Sequence, residues 1–245
     1  GLSGVGAGIY VKGGSTYITG SSFKRNKAST AGSAIYFNAA SYFLVSESKF
    51  DENSLVSSQA KTTAKNGQGG AAIYMTGSTG LIEKSQFTNN VAEDNDGAAI
   101  FVARPSTVTI NDGYFRGNKA TIHGSGAALI SKDTDVSIKL TRCTFSGNEA
   151  AVSGAAIHVS FASIEIESCE FEGNKLISSG KESALGGGAI ALLQNALFSI
   201  TDAKFYNNQV QGNGINGGAI LIDSHLDGAI TQSSFTSNKA LNSKG

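Results

Sequence analysis

Ser163-Ile164-Glu165-Ile166-Glu167-Ser168-Cys169-Glu170-Phe171-Glu172-Gly173-Asn174 opens on strict alternation of apolar and polar residues and closes on a phenylalanine with an asparagine three positions later. Alternation of period two reads as a half-buried strand. A helix would place its apolar residues three and four apart and carry far less Gly, Ser and Thr. The Phe-x-x-Asn ending recurs eight times, as Phe23/Asn26, Phe50/Asn53, Phe87/Asn90, Phe115/Asn118, Phe145/Asn148, Phe171/Asn174, Phe205/Asn208 and Phe235/Asn238. Successive phenylalanines lie 26 to 37 residues apart, about 30 on average. A recurring unit of that length is the signature of a repeat protein.

Between these endings stands a second signal, a small-residue run closing on Ile or Leu. It reads Gly-Ser-Ala-Ile at 32–35, Gly-Ala-Ala-Ile at 70–73, 97–100 and 154–157, Gly-Ala-Ala-Leu at 126–129, and Gly-Gly-Ala-Ile at 187–190 and 217–220. A degenerate copy, Gly-Ala-Gly-Ile, lies at 6–9. Each copy opens a short strand such as Ile157-His158-Val159. Five residues before every phenylalanine stands a branched aliphatic: Ile18, Val45, Ile82, Ile110, Leu140, Ile166, Ile200 or Ile230. Each repeat thus holds about three short strands. None can bury its apolar face alone, and stacking copies one repeat apart solves that. The expected fold is all-β, a single-stranded parallel β-helix of about eight coils of about 30 residues. The preference of parallel connections predicts a right-handed one. At ~4.8 Å per coil the rod would be about 40 Å long. Phenylalanines would stack inside, asparagines would form a ladder bonding turn backbone, and glycines would supply the corners.

The repeat runs through all 245 residues, so residues 1–245 read as one β-helix domain. They are expected to be a piece of a longer repeat protein, because solenoids need capping ends. The connections at 54–69 and 175–186 are longer than the rest. Insertions in a solenoid collect on one face, often the binding face. Lys and Arg (19) balance Asp and Glu (19), which argues against an electrostatic nucleic-acid or anionic-membrane binder. No apolar run approaches the length of a membrane-spanning helix.

Cys143 and Cys169 each stand two residues before a phenylalanine, in a column otherwise holding Ser21, Ser48, Ser85, Gly113, Ala203 and Ser233. Stacking would bring their Cα atoms to ~4.8 Å, within reach of a disulfide. The other reading is a pair of buried thiols replacing serine, with parallel strands aiming both side chains the same way.

No catalytic, cofactor or metal constellation emerges. Glu165 and Glu167 would point outward ~7 Å apart, a separation that suits an inverting glycosidase. Lys139 falls beside Glu165 and Lys204 beside Glu170, which reads instead as surface ion pairing. His123, His158 and His225 occupy different columns and read as lone surface histidines without zinc spacing. The run Glu93-Asp94-Asn95-Asp96-Gly97 lacks the spaced ligands of a calcium loop.

Gly-Gly-Ala-Ile paired with Phe-x-x-Asn, at 187–190 with 205–208 and 217–220 with 235–238, resembles the repeat of the chlamydial polymorphic membrane proteins. The resemblance covers essentially the whole chain. It implies an autotransporter passenger on the cell surface or outside the cell, acting as an adhesin; no enzyme activity is expected, since an enzyme would need three or more convergent carboxylates and the columns gather none. Its partners would be a protein or glycan on another cell. By that resemblance adhesion would fall on residues such as Phe205, Asn208, Gly217 and Ile220, whereas strand parity places these columns mostly inside. The alternatives are a structural subunit of an extracellular fibre or coat, touching neighbouring copies, and, ranked last, a carbohydrate-active enzyme.

Overall fold

The computed structural model describes residues 4–56, 69–178, 184–225 and 227–241. Among them the chain forms four parallel sheets of eight strands, each sheet taking one strand from every coil. One coil shows the plan. Ile157–Ser160 lies in the first sheet, Ser163–Glu167 in the second, Glu170–Glu172 in the third and Lys175–Ile177 in the fourth. Each strand pairs with its copies in neighbouring coils, so Phe145 stands beside Phe171 and Phe171 beside Phe205. The chain is a parallel β-helix.

The fourth strand corrects the expectation of about three per repeat. It is two or three residues long, with one inward side chain per coil, such as Ala92, Ala150 or Leu176. One inward residue cannot produce a visible alternation. Two of these strands, Ser54–Leu55 and Lys175–Ile177, open the segments read as insertions. The middles of those segments, 57–68 and 179–183, lie outside the described residues.

Single left-handed residues turn the corners on either side of the phenylalanine strand. Three before the ring stand Glu47, Lys84, Asp112, Arg142, Ser168 and Asp202, all with φ between 47° and 53°. Two after it stand Arg25, Glu52, Asn89 and Asn207, at 54–57°. Most corners therefore carry charged or amide side chains rather than glycine alone. Glycine is required at the small-residue run. Gly154 has φ 52°, and a β-carbon there would sit 2.0 Å from the Ile157 carbonyl oxygen.

The core runs along the axis. Phe50, Phe87, Phe115, Phe145, Phe171 and Phe205 are fully buried, their ring centroids 4.7–4.8 Å apart and their planes within 5°. Burying each ring contributes about 1.5–3 kcal/mol. The aliphatic column from Val45 to Ile200 lies beside them.

Candidate functional site

The asparagines of the repeat motif form an interior ladder that saturates their hydrogen bonds. Asn118 shows the pattern. Its Oδ1 accepts from the Asn90 backbone N–H (3.1 Å) and from Asn90 Nδ2 (2.9 Å). Its Nδ2 donates to Asn148 Oδ1 (2.9 Å) and to the Phe87 carbonyl (3.0 Å). The same bonds recur from Asn53 to Asn208. A buried amide with all partners met carries no desolvation debt. Asn53, Asn90, Asn118, Asn148, Asn174 and Asn208 are fully buried. Only the end rungs differ: Phe23, Asn26 and Asn238 are half-buried, and Phe235 is exposed.

A second ladder runs two residues before each ring. Ser48 Oγ donates to the Ser46 carbonyl (2.8 Å) and accepts from the Ser21 backbone N–H (3.1 Å). The cysteines repeat this bonding with sulfur. Cys169 Sγ–H donates to the Glu167 carbonyl (3.3 Å) and accepts from the Cys143 N–H (3.3 Å). Both thiols are free and buried. The cross-coil disulfide considered from the sequence is not formed, because each side chain points back along its own strand. Contact with Cys169, together with burial, holds the Cys143 thiol well above its ordinary range.

Several outward carboxylates stand in ion pairs, Glu165 and Glu170 among them. Lys139 Nζ meets Glu165 Oε1 at 2.9 Å, and Lys204 Nζ meets Glu170 Oε1 at 2.9 Å. Arg142 holds Asp112 through two bonds of 2.8 and 3.0 Å. That hydrogen-bonded pair lowers the Asp112 carboxyl below its usual range. His123 contacts Asp94. Asp96 accepts from the Ser125 backbone N–H (2.9 Å) and from Lys132 Nζ (2.8 Å).

His158 departs from the surface expectation. It sits on the outer side of the first sheet in the column Tyr36, Tyr74, Phe101, Ile130, yet it is 4% exposed. Residues just before each small-residue run cross this face. They pair through isolated bridges at Val5, Ala31, Gly69 and Asp96, and again at Ser153, Gly186 and Asn216. Strand parity alone could not reveal that cover. Ser153 Oγ donates to Ser125 Oγ (3.0 Å), so it accepts from His158 Nδ1 at 2.6 Å. His158 Nε2 then accepts from Ser160 Oγ at 2.9 Å. This network fixes a neutral tautomer. Burial first, and Lys132 second, lower the imidazole pKa well below its ordinary value.

The outer face of the second sheet is open. A groove of about 520 Å³ crosses four coils there, floored by Thr107, Thr109, Ser137 and Ser199, with the Lys139–Glu165 pair on one side and Leu197 on the other.

Residues 142–160 match the Chlamydia polymorphic membrane protein repeat, in agreement with the tetrapeptide resemblance. No curated protein and no solved structure gives a significant match. Residues 2–139, more than half of the chain, match the family described as right handed beta helix region. The continuous sheets carry the same architecture through the remaining coils, and the chain belongs to the right-handed β-helix family.

Proposed function

We propose that this chain is a non-enzymatic rod displayed at the cell surface, passenger-like, which acts in adhesion to another cell. The observation that carries the reading is the spending of the repeat motif on the interior. Phenylalanine and asparagine build the column, which leaves the outer strand faces free to vary and to make contacts. The match to the polymorphic membrane protein repeat supports display on a surface. The pairing of Glu165 with Lys139 and of Glu170 with Lys204 supports a solvated face rather than an acid–base pair.

Beads coated with the purified chain test the reading against cultured epithelial cells. Saturable attachment, competed by soluble chain, is expected. Attachment no greater than that of beads carrying an unrelated β-helix would end it.

A further inference from the structure

We propose that the strip crossing the outer face of the first sheet is an acid-released latch, held shut by His158 through Ser153 and opening locally while the rod stays wound. The device stands apart from the adhesion reading.

The strip is made of the residues just before each small-residue run, and its series of bridges is interrupted in one place. Gly69 bridges to Asp96 and Ser153 to Gly186, but no bridge joins Ser125 to either neighbour among the described residues. Single backbone bonds cross there, from the Gly97 N–H to the Ser125 carbonyl (3.0 Å) and from the Gly126 N–H to the Ser153 carbonyl (3.1 Å). Side chains do the rest. Asp96 Oδ1 accepts from the Ser125 backbone N–H (2.9 Å). Ser153 Oγ donates to Ser125 Oγ (3.0 Å) and accepts from His158 Nδ1 (2.6 Å). His158 thus ties two coils of the strip to the strand beneath, Ile157–Ser160. The strip lies close on that strand: a β-carbon on Gly126 would sit 3.1 Å from the His158 backbone nitrogen.

The buried ring has no spare anion to meet a proton. The strands beside it contribute Ile130 and Ala191 to its column. Lys132, just past Ile130, is a cation, and the Asp96 carboxylate pairs with it at 2.8 Å. His123 on the strip contacts Asp94 instead, so a proton there does not loosen the cover. A proton on His158 turns Nε2 from acceptor to donor, against the hydrogen that Ser160 Oγ now gives it at 2.9 Å. It also buries a charge without a counter-ion. The lowered imidazole pKa accords with this. Relief comes when water reaches the ring, and residues 151–153 are the lid in the way. They are held by a few backbone bonds, from the Ala151 and Val152 N–H groups to the Gly124 carbonyl (3.1 Å each) and from the Leu185 N–H to the Val152 carbonyl (2.8 Å). The strand under them is paired along both sides. Short segments with few bonds open at a fraction of the global cost.

Native-state hydrogen exchange of the whole chain, read by mass spectrometry, tests the latch. It is run at pH 7.5 and 5.5 with low urea added stepwise, and rates are corrected for intrinsic exchange at each pH. Peptides covering 122–126 and 151–154 should lose protection by about tenfold at pH 5.5, one unit below the ordinary imidazole value of 6.5. Their exchange should be insensitive to low urea, as a local opening exposes little surface. Peptides of the asparagine ladder should stay better protected, with a steep urea dependence. His158→Gln should abolish the acid response of the strip, and His123→Gln should keep it. The latch is overturned if strip protection is the same at both pH values, or if the strip exchanges with the protection and urea dependence of the ladder. A response that survives in His158→Gln, or vanishes in His123→Gln, overturns it as well. The comparison of strip with ladder in the parent chain decides the matter even where a variant fails to fold.

Discussion

The ring of Phe43 fills the space that a side chain at Gly80 would need. The two residues are partners in adjacent coils of the second sheet, and a β-carbon on Gly80 would lie 2.2 Å from Phe43 Cζ. Phe43 in turn stacks on Phe37 of the first sheet, centroids 4.2 Å apart. Phe198 and Gly228 repeat the arrangement. A large residue is admitted to this column where the next coil gives up its side chain, as dense interiors require.

Gly80→Ala should therefore destabilise the chain by about 1–3 kcal/mol through overpacking. Phe43→Leu alone should also destabilise, by leaving a void beside Phe37. The double variant should recover much of the combined loss, since the two sites share one volume. Urea denaturation of the four proteins measures the coupling. Strict additivity would show that the ring and the glycine do not compete for space.

Asn118→Ala in the middle of the ladder should cost about 3 kcal/mol or more, because it strips partners from the Asn90 N–H, the Asn90 amide and the Phe87 carbonyl. Asn26→Ala at the first rung should cost about 1 kcal/mol. That residue is half-buried, and its bonds run to one neighbour, Asn53. Equal losses at both positions, read by chemical denaturation, would refute a cooperative ladder.

Much of this architecture was legible because the repeat compares the chain with itself. Aligning on the phenylalanines puts Ile138, Ile164 and Phe198 in one column, and the strands pair in that register. The fourth strand was not legible, since Lys27–Ala28 or Glu149–Ala150 is too short to show a period. His158 was misplaced for a different reason. Its parity points outward correctly, but the segment covering it reaches that face through the bend before Gly154, which no spacing encodes. The groove was illegible too: Thr107, Ser137 and Ser199 look like any outward polar positions until the coils are stacked.

Cys169→Ser should be nearly neutral, within about 1 kcal/mol, because a hydroxyl can take over both bonds of the sulfur as in the Ser48 rung. Cys169→Val should cost about 1 kcal/mol more by leaving the Cys143 N–H without its acceptor. Gly113 and Ala203 already interrupt this column, so a larger penalty is not expected. In the parent chain both thiols should react with an aromatic disulfide reagent only at the rate of unfolding, because both are buried. Rapid labelling in native buffer would place them at the surface.

Acid should weaken the rod in a window set by His158. Its imidazole is neutral in the fold with a lowered pKa, whereas the unfolded chain titrates near the ordinary value of 6.5. Between the two values the unfolded state binds the extra proton. Stability is therefore complete above about pH 6.5 and falls as pH drops below it, by up to about 1.4 kcal/mol per pH unit. The groups around the ring cannot compensate, because Lys132 is a cation and the Asp96 carboxylate is already paired with it at 2.8 Å. Asp51 and Asp112 act in a separate window. Their folded pKa values are lowered from 3.8 by Lys24 and Arg142, so their contribution is lost only in stronger acid. Urea midpoints measured from pH 7.5 to 5 should fall in the parent chain, and the step should vanish in His158→Gln. A decline of the same size in that variant would assign the acid sensitivity to other groups.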